Sequence, residues 1–171
     1  IYNNQVSRSC SFQTLPLIGS TTTTPSKEDI LDRLLVSHPW MGQRFEQFLE
    51  QSVTSPAMLN LLGATTAIVI SYDIRPSFYW SATGAIYLDA ANFWVSPQER
   101  DTLNTQPDYR ASFGNELQFL IPWRYVKDGD YYTSANRYPR SQRLSKSFAD
   151  MEADISWLMY HELAHANDFF P

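Results

Sequence analysis

The sequence has few cysteines, few histidines and no long apolar run. Its 171 residues include one cysteine, Cys10, so no disulfide can form within the chain. In an exported protein, a lone cysteine indicates a partner outside the chain or a free thiol. The longest apolar stretch, from Leu61 to Ile70, contains Gly and Thr and is far shorter than the roughly 20 residues of a membrane-spanning helix. We therefore expect neither an internal disulfide nor a membrane span.

Positive charge is also scarce. The 13 Lys and Arg are outnumbered by 18 Asp and Glu, which gives a net charge of −5. Because a nucleic-acid-binding domain usually carries a basic surface, we expect no nucleic-acid partner. The chain opens at Ile1 without Met and without a charged segment leading into an apolar one. This favours a processed product, and we expect an extracytoplasmic location: secreted, periplasmic or on the cell surface.

Aromatic residues, in contrast, are abundant. They make up 15% of the chain, with five Trp and ten Tyr. Aromatic side chains supply core, and they also line grooves that hold peptides or sugars. A chain of 171 residues is long enough for one domain with a hydrophobic core and short for two.

The first quarter of the chain predicts an arm followed by two helices. Residues 1–24 are rich in Ser, Thr, Asn and Gln, which indicates a flexible N-terminal arm. A helix should start at Pro25 or Ser26 and end at Pro39. Its apolar stripe would be Ile30, Leu31, Leu34 and Leu35. A second helix over residues 41–51 would pack on the first through Phe45, Phe48 and Leu49.

The middle of the chain predicts strands. Residues 65–74 are rich in β-branched side chains, and residues 85–88 form a second apolar run. A third strand, residues 117–126, precedes Asp128 and Gly129, a dipeptide typical of hairpin turns. Calcium is a weaker alternative at this turn, because the other ligand positions of a calcium loop are missing.

Two helix starts are marked by capping residues. Ser96, with Pro97 and Glu99 after it, has the pattern of a capped helix. The basic segment 134–147 reads as a solvated loop, or alternatively as the lip of a binding cleft. Ser147 then caps the clearest helix of the chain, which runs for some twenty residues without Pro or Gly.

The end of this helix carries the sequence His161-Glu162-Leu-Ala-His165. Two histidines four positions apart lie on one helix face, so both imidazoles can bind one metal ion. Glu162 projects about 100° further around the helix, where its carboxylate can reach a water on the metal. This arrangement predicts a zinc site with Glu162 as general base. The alternative is that both histidines are ordinary helix residues bonded to carbonyl groups.

At these residues the chain resembles the zincin clan of zinc metallopeptidases. The resemblance covers the last helix and implies an α+β fold, in which a mixed sheet packs on that helix and an edge strand holds the substrate. Residues 65–71, 85–88 and 117–126 would form the sheet, with one of the last two as its edge. Residues 25–171 would be the upper subdomain, and a lower subdomain that closes the cleft would be missing.

The third zinc ligand is where the chain departs from the clan. In metzincins the helix breaks at a Gly and a third His follows, but these places hold Asp168 and Pro171. In gluzincins a Glu on a later helix completes the site. Asp168 could bind the ion only if the helix broke at Asn167; otherwise it accepts an N–H from a ligand imidazole or ends the helix. His38 is expected to be a packing or loop histidine. We therefore expect the 171 residues to be part of a longer polypeptide, whose C-terminal remainder is a partner of this part.

Two functions follow from the sequence. The first is an exported zinc peptidase acting on a peptide or protein substrate. The second is a zincin-like protein without catalytic activity that binds a protein or glycan through aromatic residues. Its contacts would come from exposed Trp80, Trp94 and Trp123, although core positions are the more usual place for such residues.

Overall fold

The computed structural model describes residues 10–107, 125–127 and 129–171. These residues form six α-helices, six β-strands and three short 3-10 helices. The α-helices are α1 (Ile18–Thr21), α2 (Lys27–Leu31), α3 (Pro39–Gln51), α4 (Ser55–Leu62), α5 (Pro97–Asp101) and α6 (Phe148–Phe169). The strands are β1 (Leu34–Val36), β2 (Ile68–Ser71), β3 (Phe78–Trp80), β4 (Ala85–Asp89), β5 (Tyr125–Lys127) and β6 (Asp130–Tyr132). The 3-10 helices are Ala90–Asn92, Ala135–Arg137 and Arg140–Gln142.

Four strands form a small mixed sheet in the order β1-β2-β4-β3. The first three are parallel, with Leu34 opposite Ile68 and Ile68 opposite Ile86. β3 runs antiparallel to β4 and is the outermost strand on its side within the described residues. β5 and β6 form a separate antiparallel hairpin, in which Gly129 has a φ of 86°. The fold is therefore α+β, and the hairpin predicted around Gly129 is confirmed.

The sheet packs on the helices through one of its faces. Side chains alternate along a strand, so Ile68 and Ile70 of β2 point to the same side as Ile86 and Leu88 of β4. All four are fully buried in the main core. The helices contribute buried residues to this core, among them Phe45, Phe48, Met58, Leu62, Met151, Ile155, Met159 and Leu163. The opposite face carries a smaller cluster around Tyr87, whose ring stacks on Phe78 with centroids 4.6 Å apart.

Helix α6 begins as its sequence predicts. The Ser147 hydroxyl accepts the N–H of Asp150, and the Asp150 carboxylate accepts the N–H of Ser147, so both residues satisfy groups that a helix start leaves open. The helix then continues to Phe169. Neither α6 nor any other helix in the described parts of the chain has the length and apolar character needed to cross a membrane.

The predicted first helix is wrong in its second half. Ser26 caps α2, as expected, but α2 ends at Leu31. Leu34 and Leu35 belong to β1, which pairs with β2. Pro39 does not end a helix but is the first residue of α3. The apolar spacing of these leucines fits a helix and a strand equally well, and pairing with the backbone of β2 decides between them.

The predicted flexible arm differs from the structure over residues 10–24. Ile18 is 1% exposed, and its N–H donates to the carbonyl of Thr65 at 2.9 Å. The Phe12 ring meets Phe170 edge-on at 5.4 Å between centroids. Polar composition predicted an arm here, but a few apolar side chains are enough to fix this segment to the core. Residues 1–9 lie outside the described residues.

The predicted strands are confirmed in part. β4 covers residues 85–89. β2 covers only the last four residues of the predicted strand 65–71, and the residues before it connect it to α4, which ends at Leu62. β4 is central, so the alternative in which residues 85–88 form the sheet edge is wrong. Most of the predicted strand 117–126 lies outside the described residues. β3 was not predicted, because its three residues are too few for a pattern.

The capping residues around α5 are as predicted. Ser96 and Glu99 exchange hydrogen bonds at the helix start, with Pro97 as first residue. The loop 134–147 is not simply a solvated face, because the side chain of Lys146 is fully buried. Its ammonium lies 2.9 Å from the Asp154 carboxylate on α6, which fastens this loop to the helix.

Candidate metal centre

His161 and His165 lie together on the exposed side of α6. Their ring centroids are 5.2 Å apart and the ring planes are nearly perpendicular, at 87°. Trp157, one turn earlier, stacks on His161 with centroids 5.8 Å apart. Because the two imidazoles are neighbours and accessible, both can turn a nitrogen to one ion.

Glu162 lies on the inner side of the same turn. It is 4% exposed and faces β3, where the Tyr79 backbone hydrogen-bonds to its carboxylate. Burial raises the pKa of Glu162, and the opposing effects of His161, His165 and the Tyr79 backbone do not cancel this rise. The carboxyl group is thus held in a fixed place between the histidines and the sheet, with a greater affinity for a proton than an exposed carboxylate has.

A cavity of about 290 Å³ lies between β3 and this part of α6. The strand side of the cavity is formed by residues 77–81, and the helix side by His161, Glu162, His165 and Phe169. The predicted general base and both predicted metal ligands therefore face one cleft. The sequence identified the helix side of this cleft but not the strand side.

Tyr79 is a site residue that sequence reasoning missed. Its ring packs near Phe169, with centroids 5.9 Å apart, and its hydroxyl is buried without a hydrogen-bond partner among the described residues. Burial raises the pKa of Tyr79 to about 12, so the hydroxyl keeps its proton at neutral pH and can donate a hydrogen bond. With ten Tyr in the chain, the sequence has no signal that distinguishes this one.

The side chains present fit a zinc site only in part. Two imidazoles are suitable zinc ligands, and a catalytic zinc usually has three protein ligands and a water. Within the described residues, no group of three or more His, Cys, Asp and Glu side chains is arranged so that it could hold a metal ion. A third ligand is therefore not identified.

Asp168 is not brought to the cleft. It lies in the last turn of α6, exposed, and does not line the cavity. The helix does not break at Asn167, whose side-chain amide donates to the carbonyls of Leu61 and Leu163. The condition for metal binding by Asp168 is thus not met in this conformation. His38 lies before α3 with its ring beside Tyr72, away from the cavity lining.

The tryptophans named for the binding alternative have different positions. Trp94 is fully buried, which excludes it as a surface contact and agrees with the core position expected for most of these residues. Trp80 is half-buried and lines the cavity. Trp123 lies outside the described residues. Trp157, 56% exposed, was not predicted as a surface residue.

No family model, curated protein sequence or solved structure gives a significant match to this chain. The assignment of a function therefore depends on the residues of the cleft.

Proposed function

We propose that this protein is a zinc-dependent peptidase whose active site is the cleft between β3 and α6. The observation that carries this proposal is the meeting of His161, Glu162 and His165 at one cavity, with the two imidazoles accessible and the carboxyl group buried. A peptide or protein is the substrate, since the cleft lies between a strand and a helix and is open to the surface.

Each residue of the cleft has a role in this proposal. His161 and His165 would hold the zinc ion, together with a third ligand not yet identified. A zinc ion held there would supply Lewis-acid chemistry: it would polarise a peptide carbonyl and lower the pKa of a water towards about 7. Glu162 takes the proton of the attacking water and then gives it to the leaving amine.

The zincin-like fold is part of the same proposal. The resemblance implies an edge strand above the active-site helix, with a cleft between sheet and helix. β3 is an outer strand of the described sheet and packs near α6, with a cavity between them, and this supports the comparison. An exported location agrees with this function and belongs to the proposal as well.

The first experiment is to measure zinc per chain by elemental mass spectrometry, with the intact mass of the same sample. We expect about one zinc in the wild type and none in the variants His161→Ala and His165→Ala. His38→Ala, at a histidine away from the cleft, is the matched control and should keep its zinc. Loss of zinc in the control, or zinc retained without His161 and His165, would refute the metal site.

The second experiment separates catalysis from metal binding. Glu162→Gln should keep the zinc but lower the hydrolysis of a mixed peptide library by about 10²- to 10⁴-fold, the usual contribution of a general base. Unchanged hydrolysis would show that Glu162 is not the base. If no variant and no wild-type preparation cleaves peptides although zinc is bound, the peptidase proposal fails.

The second candidate function is a binding protein without catalytic activity. The exposed Trp157, stacked on His161 beside the cleft, is the observation that favours it. In that case the metal would be structural, and Glu162→Gln would leave partner binding unchanged. Aromatic surfaces of this kind suit protein or glycan partners.

A further inference from the structure

A second cavity, of about 440 Å³, lies where the chain leaves the carboxyl ends of β2 and β4. Three arginines line it: Arg75 follows β2, Arg100 belongs to α5, and Arg140 comes from the loop before α6. None of the described residues that line it is acidic. We call this cavity the arginine pocket. It shares no lining residue with the cleft of the candidate metal centre.

Arg100 is the most informative residue of the arginine pocket. It is only 8% exposed, and its guanidinium lies 4.7 Å from the centre of the Trp94 ring. Nη2 donates to the carbonyls of Asn136 and Tyr138, at 3.3 and 2.6 Å. Nη1 is equally buried, but no acceptor for it exists among the described residues. A buried charged donor without a partner is costly, and an acceptor oxygen on a ligand would remove this cost.

The other two arginines are held in place by backbone carbonyls. Arg140 donates to the carbonyls of Leu103 and Asn104, at 3.0 and 3.2 Å. Arg75 donates through Nη1 to the carbonyl of Gln106, while its buried Nε has no acceptor in the described part of the chain. Because a guanidinium has five N–H donors, each of these residues keeps donors for a ligand. Their positions are fixed before any ligand binds.

The nearby acids among the described residues do not neutralise the arginine pocket. Asp101 is bound to Arg143, at 2.6 Å, and Asp73 lies 3.8 Å from Arg75 with more than half of its side chain exposed. Burial lowers the pKa of Arg100, and the positive charge of Arg140 lowers it further, against the opposite effect of Asp101. This direction is expected where positive charges gather without a counter-ion. Counted over the described residues, the pocket therefore has an excess of positive charge.

We propose that the arginine pocket binds an oxyanion, namely a phosphate or carboxylate group. The planar guanidinium matches both groups, because two parallel N–H donors can meet two oxygens. The carboxyl ends of neighbouring parallel strands are also a common place for ligands in α/β sheets. Such a site would give the protein a second, anionic ligand, and it does not depend on the zinc proposal.

The test is calorimetric titration of the purified protein with inorganic phosphate and, separately, with acetate at matched ionic strength. We expect saturable binding of at least one of them. Phosphate alone would identify a phosphate-bearing ligand, acetate alone a carboxylate, and both a general oxyanion site. Saturable binding of neither would overturn the proposal.

Variants assign the binding to this pocket. Arg75→Gln and Arg140→Gln should each weaken anion binding by about tenfold, since each loses a charged donor pair. Arg143→Gln is the matched control, because this arginine pairs with Asp101 and does not line the pocket. The anion affinity of this variant should stay within about twofold of the wild-type value. Circular dichroism checks that each variant is folded. Equal weakening in all three, or in none, would place the anion elsewhere.

Discussion

At the scale of single residues, Lys146 has the least ordinary environment. Its ammonium is fully buried, contacts Asp154 at 2.9 Å and lies 4.5 Å from the centre of the Trp94 ring. Burial lowers the pKa of Lys146, and Asp154 opposes this effect. The Ser134 hydroxyl also donates to the Asp154 carboxylate. This network joins the loop before α6 to the helix that carries the histidines.

Removal of one partner of this ion pair should lower the free energy of unfolding considerably. Lys146→Met leaves the Asp154 carboxylate, 11% exposed, without its cation, and we expect a loss of about 3–5 kcal/mol in the free energy of unfolding. The double variant with Asp154→Leu removes both charges and should recover most of this loss. Urea unfolding of the three proteins measures both values. A double variant less stable than Lys146→Met would contradict this account.

Glu99 should make stability depend on pH. Burial alone would raise the pKa of Glu99, but the N–H of Val95, the side chain of Arg44 and the N–H of Ser96 together lower it below its ordinary 4.5. The folded state therefore favours the ionised carboxylate. The ionised Glu99 carboxylate therefore adds to the free energy of unfolding. This stabilisation is complete above about pH 4.5 and is lost as the pH falls through the lower pKa that Glu99 has in the folded state.

The corresponding variant is Glu99→Gln. At pH 7 we expect a loss of about 1–3 kcal/mol in unfolding free energy, since the hydrogen bonds to a charged group are weakened. The difference from the wild type should shrink as the pH falls below 4.5. Asp101→Asn, on the same helix but in an exposed ion pair, should cost less than about 1 kcal/mol. A difference that grows on acidification would show the opposite linkage.

The sequence identified some of these residues and not others. His161, Glu162 and His165 could be predicted because one continuous helix fixes their spacing. Tyr79 and Arg100 could not, since their importance comes from burial and from neighbours distant in the chain. The buried Lys146 looked like one of several basic residues in a polar loop.

At the scale of elements, the connection between β3 and β4 depends on Gly84. Its φ is 65°, and an added Cβ would lie 2.7 Å from Cε1 of Phe12 and 2.9 Å from Cγ2 of Thr66. Gly129, in the β5–β6 turn, has a φ of 86° but no described atom within 4 Å of such a Cβ. A comparison of the two positions therefore separates the energetic cost of backbone strain from the cost of steric contact.

Alanine at both positions is the test. Gly129→Ala should cost about 1–2 kcal/mol for the left-handed backbone alone. Gly84→Ala should cost about 1–3 kcal/mol more, because Phe12 and Thr66 must move. Urea unfolding gives both values. Equal costs would mean that residues near Phe12 do not pack against this turn in solution.

The sequence predicts an element when the residues that determine it are close together in the chain. The starts of α2, α5 and α6 are marked by a capping Ser and an acidic residue three positions later, all within one turn. β1 and β3 have three residues each, and only their pairing partners make them strands. Local chemistry predicts the first kind of element, and no local rule predicts the second.

At the scale of the whole molecule, zinc binding should appear as stability. A ligand at 100 times its dissociation constant adds about 2.7 kcal/mol to the native state. For a chain of this size, this raises the melting temperature by about 5–11 °C. The variant lacking both His161 and His165 should show no rise, and magnesium, which prefers oxygen ligands, should have no effect on the wild type. A zinc-induced rise in the double variant would point to binding elsewhere.

The order of the sheet was beyond sequence reasoning. β4 pairs with β3, which directly precedes it in the chain, and also with β2. β1 pairs with the other side of β2, although α3 and α4 separate these two strands in the chain. The α+β class could be predicted from the mixture of helix and strand patterns. The order of the strands results from packing on one core and has no counterpart in the spacing of residues.

Helix α6 also determines when the fold can form. It follows every other described element along the chain, yet it contributes Met151, Ile155, Met159 and Leu163 to the core. Contacts between distant parts of a chain slow folding, and a nascent chain grows by only about 5–20 residues per second. Until residue 148 and those after it leave the ribosome, core residues on the elements that α6 contacts, such as Leu62 of α4 and Leu88 of β4, lack part of their cover. A nascent chain of this protein therefore exposes apolar surface to chaperones until the histidine-bearing helix is made.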